Sequence, residues 1–252
     1  MRPWTARVRY GLATLLLCGA LALTFAACNT SSGKTSGGAS SSPSSPSSGG
    51  APSAQDILAR TQQQNLTSAT FKINQQIQTS QGAITSQGSG QLQEEPFAEQ
   101  ISTTTTANGQ LIETEAIYSN GNLFTKTAGS STWIEAPGGQ IVNGSTAAPD
   151  LAEITNLPNA SLVGTETVNG VKTYHLKGSG MRSVNGQSVA YTEDLWIRKD
   201  NYQPEQLTDV ANTPQGNVQS TIIFTGWNTN VAIQTPEPSA VSTITVPTTP
   251  SP

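Results

Sequence analysis

The segment QLIETEAIYSNGNLFTKT, residues 110–127, contains two runs of strand character on either side of one tight turn. The runs are Gln110–Ser119 and Asn122–Thr127, and Asn120-Gly121 lies between them. Asparagine and glycine both tolerate a positive φ, which the favoured two-residue hairpin turn requires at its central positions. The segment therefore predicts two antiparallel strands joined by a tight turn.

Similar turn signals recur along the chain at strand-length intervals. They are Gln81-Gly82, Asn108-Gly109, Asn169-Gly170 and Asn185-Gly186. Before the first of them, Phe71, Ile73 and Ile77 alternate with polar residues, which is typical of a half-buried strand. Further strands are predicted at Trp133–Ala136, Ser161–Val168, Val171–Gly178, Ser188–Arg198 and Gln219–Thr225. The repetition favours a large antiparallel sheet.

Two short helices are predicted, one before this series of strands and one within it. Ser53 can cap a helix that has Asp56 in its first turn, with Ile57 and Leu58 on an apolar face. A second helix, or a lid, is predicted at Ala147–Asn159, where apolar residues lie between two prolines. The fold class is therefore mainly β (α+β), with an N-terminal helix and a short mid-chain helical lid on one side of the sheet.

The N-terminus has the pattern of a bacterial export signal. An uncharged apolar run, Gly11–Ala27, is shorter than the ~20 residues that a membrane-spanning helix needs. The sequence Ala26-Ala27-Cys28 resembles the end of the lipobox, with Phe25 in the position where leucine is usual. This resemblance implies a signal peptide over residues 1–27 and lipid attachment at Cys28. The alternative is an ordinary secretory signal or an uncleaved anchor. The basic residues that precede the run are Arg2, Arg7 and Arg9.

Composition divides the rest of the chain into three parts. Residues 28–53 are rich in Ser, Gly and Pro and predict a disordered linker after Cys28. Residues 54–235 predict one folded domain of ordinary size. Residues 236–252 are rich in Pro and Thr and predict a disordered tail.

Charge and cysteine content exclude several classes of function. After cleavage the chain would carry nine basic and sixteen acidic residues, a formal net charge of −7. An acidic chain without basic clusters is a poor candidate for binding nucleic acid. Cleavage would also remove Cys18, and acylation would occupy Cys28, so no thiol would remain for a disulfide, a metal site or a nucleophile.

The polar residues do not form a recognisable catalytic set. His175 is the single histidine. One histidine alone neither supplies the ligands of a common zinc site nor identifies a Ser-His-Asp triad. Glu193 and Asp194 are adjacent in a predicted strand and should point to opposite faces. We therefore expect a non-enzymatic protein with no catalytic residues, no metal and no cofactor.

Two C-terminal patterns resemble a known group of lipoproteins. Residues 194–207, DLWIRKDNYQPEQL, and residues 222–233, IIFTGWNTNVAI, are similar to hairpin and final-strand patterns of the LolA/LolB-like fold, and especially of the LppX/LprA/LprF/LprG-like bacterial lipoproteins. The resemblance implies a large, strongly curved antiparallel half-barrel that closes over helices. It also implies a concave face that holds the acyl chains of lipids, glycolipids or lipoproteins.

The apolar residues of the predicted strands are candidates for lining such a cavity, although they could equally form a packed core. The first hypothesis is therefore a membrane-tethered protein that binds or carries an acylated ligand. The second is a sensor or interaction module of the same fold, which contacts an envelope protein through its sheet edge and binds no lipid. The candidate lining residues are Phe71, Ile73, Ile77, Tyr118, Phe124, Trp133, Tyr174, Leu176, Tyr191, Leu195, Ile222 and Phe224.

Overall fold

The computed structural model describes residues 51–80, 82–137, 154–184, 187–213 and 216–243, and these form one sheet of twelve strands with a single α-helix among them. The helix is α1 (Ala54–Gln62). The strands are β1 (Ser68–Thr79), β2 (Gly82–Glu94), β3 (Phe97–Ala107), β4 (Gln110–Ser119), β5 (Asn122–Thr127), β6 (Trp133–Pro137), β7 (Ser161–Val168), β8 (Val171–Val184), β9 (Gln187–Arg198), β10 (Pro204–Thr213), β11 (Gly216–Trp227) and β12 (Val241–Thr243). The predicted mainly-β class with a large, curved, open sheet is confirmed.

The strand order across the sheet is β12-β6-β5-β4-β3-β2-β1-β11-β10-β9-β8-β7. Consecutive strands of the chain are neighbours in the sheet, except β6 and β7 and also β11 and β12. Pairing is antiparallel throughout, with the exception of β12, which lies parallel to β6. The sheet thus consists of two meanders, β1–β6 and β7–β11, that meet where β1 pairs with β11.

The Asn-Gly turns have the geometry that the sequence predicts. Asn120 and Gly121 have φ angles of 53° and 80°, and Asn108-Gly109 and Asn169-Gly170 are also positive at both positions. These angles match the two-residue hairpin turn whose twist fits the flanking strands. Residue 81 and Asn185-Gly186 lie outside the described residues, so those two predicted turns stay predictions.

Two long strands, β2 and β3, are not predicted by the hydrophobic pattern. Gly, Ser, Thr and Gln dominate both, and Leu92 and Ile101 are among their few buried apolar side chains. Backbone pairing with β1 and β4 holds them in the sheet, because the ladders run from Gly82 to Ala107 without a break in register. A strand that is polar on both faces shows no alternation of apolar and polar residues, so the hydrophobic period does not identify it.

The expectation of a disordered tail from Pro236 is wrong for its first residues. Pro238–Ala240 form a short 3-10 helix, and β12 follows and pairs with Trp133, Ile134 and Glu135 of β6. Composition predicts disorder because the segment buries little apolar area, and no residue of the 3-10 helix is buried. Backbone hydrogen bonds to an open sheet edge supply the order instead. Residues 244–252 lie outside the described residues.

The helix begins where its capping residues predict. Ser53 accepts a hydrogen bond through its side chain from the Asp56 backbone, and the Asp56 carboxylate accepts one from the Ser53 backbone, which completes a capping box. The Ser53 hydroxyl also donates a hydrogen bond of 2.7 Å to Asp56 Oδ2, and this bond, followed by that from the Ser53 backbone N–H, lowers the pKa of the Asp56 carboxyl. Ile57 and Leu58 are buried against the sheet, as the apolar face predicts.

Most of the predicted mid-chain lid lies outside the described residues. Of Ala147–Asn159, the structure describes residues 154–159, in which Ile154 is helical and a turn follows. Ile154 and Leu157 are buried in the same cluster as α1. The described part therefore packs on the helix side of the sheet.

Candidate ligand-binding face

The face of the sheet that packs against α1 is called the inner face here. On β1 it carries Phe71, Ile73 and Ile77, which are all buried, whereas Lys72 and Asn74 point to the opposite, outer face and are exposed. Residues in register on the neighbouring strands extend this face across the sheet. Because the sheet is curved, the inner face is the surface on which the resemblance places a ligand.

Eight of the twelve candidate residues lie in one cluster at the helix end of the inner face. Their neighbours in the cluster include Ile57 and Leu58 of α1, so these candidates pack as a hydrophobic core beneath the helix. The six buried members are Phe71, Ile73, Leu176, Leu195, Ile222 and Phe224, and the two partly buried members are Tyr118 and Tyr174.

Two further candidates, Ile77 and Tyr191, belong to two small, separate clusters on the inner face, and neither cluster contains a residue of α1. Across four strands, Ile77 pairs with Val218, Val218 with Ala211, and Ala211 with Tyr191. On the other side, Ile77 pairs with Ile84 of β2. We call these five residues the apolar row.

The remaining two candidates, Phe124 and Trp133, lie outside these clusters. Phe124 is buried on β5. Trp133 is half-buried on β6, and the Lys126 ammonium lies 4.6 Å from the centre of its ring. The structure therefore does not bring all twelve candidates to one site: eight lie in a helix-covered core, two in the apolar row, and Phe124 and Trp133 in neither.

A polar band separates the core from the apolar row. Gln75 pairs with Ser86 on β2 and with Ser220 on β11, and Ser220 in turn pairs with Asp209 on β10. Gln75, Ser86 and Asp209 are all buried. Sequence reasoning missed this band, although the alternation that points Ile73 and Ile77 inward also points Gln75 inward.

The band contains a buried ion pair. Arg182 donates two hydrogen bonds to Asp209, from Nη2 to Oδ1 over 2.6 Å and from Nη1 to Oδ2 over 3.0 Å. Burial raises the pKa of the Asp209 carboxyl, and the hydrogen bonds from Arg182 offset part of this effect. The guanidinium also lies 4.8 Å from the centre of the Tyr191 ring. Arg182 therefore crosses from β8 over β9 to reach Asp209 on β10.

Three buried polar side-chain atoms lack a hydrogen-bond partner in the described part of the chain. Two of them, Gln75 Oε1 and Arg182 Nε, belong to residues of the polar band. The third, Thr125 Oγ1, lies on β5. Since buried polar atoms are nearly always paired, two of them in one band mark this part of the inner face as unusual.

Glycines on the inner face make room for large side chains. A Cβ atom on Gly90 would lie 2.5 Å from Cζ of Phe71, and one on Gly178 would lie 2.5 Å from Cγ of Leu157. On Gly180 a Cβ would lie 2.9 Å from the Tyr191 hydroxyl oxygen. The Phe71 ring, the Leu157 side chain and the Tyr191 ring therefore pack directly on the backbone at Gly90, Gly178 and Gly180, respectively.

His175 lies on the outer face between two carboxylates. Its Nε2 is 2.7 Å from Asp194 Oδ1, and its Nδ1 is 2.8 Å from Glu166 Oε1. The ring stacks on Trp196 with 4.6 Å between centres. These contacts give His175 a structural role in tying β7 and β9 to β8. Asp194 is thus on the outer face, whereas its neighbour Glu193 pairs with Asp209 of the polar band, as strand alternation predicts.

A shallow open pocket of about 500 Å³ lies beside α1, away from the apolar row. Arg60 donates a hydrogen bond of 2.9 Å to the Tyr202 hydroxyl at this pocket. The remaining lining residues are mostly polar, so the pocket does not suit an acyl chain. They are Asp56, Ala59, Gln63 and Gln64.

The described residues offer neither a cluster of metal-binding side chains nor a membrane-spanning helix. Within those residues, no group of three or more His, Cys, Asp or Glu side chains is placed to hold a metal ion. No helix in the same part of the chain is long and apolar enough to span a membrane. Cys28 lies outside the described residues, so its acylation stays a prediction.

Comparison with known proteins gives one partial family match and several similar folds. The family model described as "Predicted periplasmic protein (DUF2092)" matches residues 126–239, which is less than half of the chain. No curated protein matches the sequence.

Among solved structures, LprF from Mycobacterium bovis is 15% identical with a TM-score of 0.45, covering 73% of this chain and 96% of LprF. The lipoprotein LppX from Mycobacterium tuberculosis is 15% identical with a TM-score of 0.41, covering 71% of this chain and 98% of LppX. An uncharacterized conserved protein from Thermus thermophilus is 14% identical with a TM-score of 0.44, covering 76% of this chain and 99% of that protein. At these identities and TM-scores the likeness concerns the fold alone.

Proposed function

We propose that this protein is an exported, lipid-anchored lipoprotein whose domain binds an acylated ligand along the apolar row of the inner face. The observation that carries the proposal is the continuation of buried apolar side chains beyond the part of the sheet that α1 covers. Ile77 and Val218 are 3% and 2% exposed, yet their cluster contains no helix residue. Apolar side chains with a few polar groups beside them are typical of a lipid site. Because these side chains are already buried, an acyl chain would have to displace what covers them.

The lengths of α1 and β1 explain why the helix does not cover the whole inner face. With nine residues, α1 is about 13 Å long at 1.5 Å per residue. With twelve residues, β1 is about 40 Å long at about 3.3 Å per residue. The helix therefore covers only part of the inner face, and an acyl chain could extend along the rest.

An acyl chain needs no specific polar contact to bind such a surface. Each buried methylene contributes roughly 0.8 kcal/mol. Six or seven methylenes therefore contribute about 5 kcal/mol before the entropic cost of ordering the chain. The apolar row needs to offer continuous contact over only part of a long chain.

The location that we propose rests on the N-terminus and on the family match. Signal-peptide cleavage before Cys28 and acylation of that residue would tether the domain outside the cytoplasm. The periplasmic description of the matched family supports an extracytoplasmic location. Residues 29–53, as a flexible linker, would let the domain move on the order of 25–30 Å from the membrane surface.

Narrowing the apolar row tests the proposal. The full chain, purified from membranes in cholate and freed of lipid, should bind the methyl ester of a pyrene-labelled fatty acid saturably. Ala211→Phe adds a ring between Val218 and Tyr191 and should weaken this binding about tenfold, the equivalent of two methylene contacts.

Val210→Phe is the matched control, because the neighbouring position points to the outer face. It should leave probe binding unchanged. Melting temperatures of both variants show whether the fold is retained, and Ala211→Val replaces Ala211→Phe if the ring unfolds the domain. A folded Ala211 variant with unchanged affinity, or wild-type protein without saturable binding, contradicts the proposal.

One observation favours the alternative function as an interaction module. Strand β7 is the last strand of the sheet, and within the described residues it pairs with β8 alone. Val163 on this edge is 57% exposed. An open edge of eight residues can accept a strand from an envelope protein. Loss of partner capture in Thr165→Pro, with lipid binding absent from the wild type, would support this alternative.

A further inference from the structure

Each ring nitrogen of His175, on β8, faces a carboxylate of a neighbouring strand. Nδ1 is 2.8 Å from Glu166 Oε1 of β7, and Nε2 is 2.7 Å from Asp194 Oδ1 of β9. The His175 and Asp194 side chains are 17% and 19% exposed, whereas the Glu166 side chain is 47% exposed. One ring therefore links three strands at the end of the sheet.

The two distances fit the charged form of the ring. A neutral imidazole carries a proton on one nitrogen and a lone pair on the other. In either neutral form, the lone pair would lie within 2.8 Å of a carboxylate oxygen and repel it. The imidazolium ring has a proton on both nitrogens and attracts both carboxylates. His175 is therefore suited to hold both neighbours only while it is protonated.

The other groups around the ring are compatible with its positive charge. The Trp196 indole of β9 stacks on the ring with 4.6 Å between centres, and the face of an indole attracts a cation. Lys177 of β8 is 3.5 Å from Asp194 Oδ2, the oxygen that does not contact the ring. Further along β9, Arg198 is 2.6 Å from Glu205 of β10 and so has a carboxylate of its own.

We propose that His175 is a pH-dependent switch that holds the edge strand β7 on the sheet when it is protonated. Loss of one proton leaves a single N–H, which Asp194 retains because it is less exposed and also contacts Lys177. Glu166 then faces a lone pair and keeps the hydrogen bond from the Trp196 indole, 2.6 Å long. A rise through about pH 5 to 8, where histidine changes charge, therefore loosens β7.

The position of β7 gives this switch a consequence for the edge of the sheet. Within the described residues β7 pairs with β8 alone, so a loosened β7 leaves backbone N–H and C=O groups of β8 unpaired. Unpaired groups of this kind can accept a strand from another chain. The pH would thus determine whether the sheet presents β7 or β8 to a partner. This inference goes beyond the proposed function, since it requires no acyl ligand.

Hydrogen exchange of the full chain, purified in cholate, tests the switch. Between about pH 5.5 and about pH 8, the β7 amides should lose about five- to tenfold protection after correction for the intrinsic rates, the effect of one lost contact with a charged group. Amides of β1, an interior strand of the sheet, should keep their protection. His175 is the single histidine of the chain, so the change has one candidate imidazole.

Two variants and a control assign the effect to this contact. His175→Gln removes the titrating ring and should abolish the pH dependence of β7 exchange. Glu166→Gln removes the carboxylate of β7 and should abolish most of it. Glu115→Gln is the matched control, because Glu115 is 46% exposed and also pairs with a cation, Lys126, over 2.9 Å. It should keep the pH dependence of β7.

Equal or greater protection of β7 at the higher pH in the wild type overturns the proposal. Dependence that persists in His175→Gln overturns it too, because another group, such as the Asp209 carboxyl whose pKa burial raises, would then be responsible. Glu166→Gln decides in the same way if His175→Gln does not fold. Equal losses in β1 and β7 also overturn it, since the effect would then be global. Acyl binding stands in every case, because the apolar row contains no residue of β7.

Discussion

Arg182 and Asp209 form a bidentate pair whose side chains are 8% and 4% exposed. A buried ion pair adds little stability compared with apolar residues of the same size, but each partner depends strongly on the other. The pair lies in the polar band, where apolar side chains of the same size would pack without the cost of removing two charges from water.

The first prediction concerns this pair. Arg182→Leu leaves a buried carboxylate without its partner and should lower the free energy of unfolding by about 3–5 kcal/mol. Arg182→Leu combined with Asp209→Leu should recover most of this loss, because no uncompensated charge remains. Urea denaturation at neutral pH measures both variants. Similar losses in the single and double variants would show that the pair itself stabilises the fold.

At the scale of residues, the sequence predicts which face of the sheet a side chain lies on better than it predicts which residues that side chain contacts. Alternation places Phe71, Ile73 and Ile77 on one face, and the structure agrees. It does not separate a residue beneath α1 from one in the apolar row, since that depends on where a nine-residue helix ends in space. The partners of Asp209 and His175 come from other strands, so no local pattern predicts them.

At the scale of elements, the contact between Phe71 of β1 and Gly90 of β2 shows how closely the inner face is packed. The ring occupies the space that a side chain at position 90 would need. Glycine is unfavourable in a strand, so it is retained here for the close approach that it allows.

The second prediction tests this close approach. Gly90→Ala places a Cβ 2.5 Å from the Phe71 ring and 2.7 Å from the Gln100 carbonyl oxygen. The clash should lower the free energy of unfolding by about 1–3 kcal/mol. Gly164→Ala is the control, because a Cβ there meets no atom within 4 Å and Gly164 has no positive φ. Thermal melting that shifts equally in both variants would contradict the steric explanation.

Strands flanked by Asn-Gly turns were predictable almost to the residue. Gln110–Ser119, Asn122–Thr127 and Ser161–Val168 have the bounds of β4, β5 and β7. Strands β2 and β12 were not predictable in this way, because pairing with adjacent strands, and not their own composition, holds them in the sheet. The residues that form a tight turn are adjacent in the chain, so a short stretch of sequence predicts the turn. Strand pairing depends on residues that are distant in the chain, so a short stretch does not predict it.

At the scale of the whole molecule, the proposed lipid anchor at Cys28 would determine where the domain works. The third prediction is that Cys28→Ser abolishes metabolic labelling of the protein with a fatty acid and leaves it unprocessed or soluble. Cys18→Ser is the control and should be labelled like the wild type, since Leu17 before it is not a small residue. Fractionation and labelling of both variants measure the outcome. Labelling that persists in Cys28→Ser would falsify the lipobox interpretation.

The resemblance predicted the curved sheet, and the structure adds how it is joined. No turn signal indicates that β1 lies beside β11, because that pairing has no connecting loop of its own. Hydrophobic patterning identifies both as strands but not as neighbours.

The pairing of β1 with β11 also has a kinetic consequence. Phe71 and Phe224 are partners in register although 153 residues separate them in the chain. Closing so long a loop carries a large entropic cost, and sheets built from such distant contacts fold slowly. The centre of the sheet cannot form until nearly the whole chain is available. If the protein is exported as proposed, a polypeptide with this topology would stay open long enough to be threaded through a translocation pore, and would complete its fold only after its last long strand had crossed.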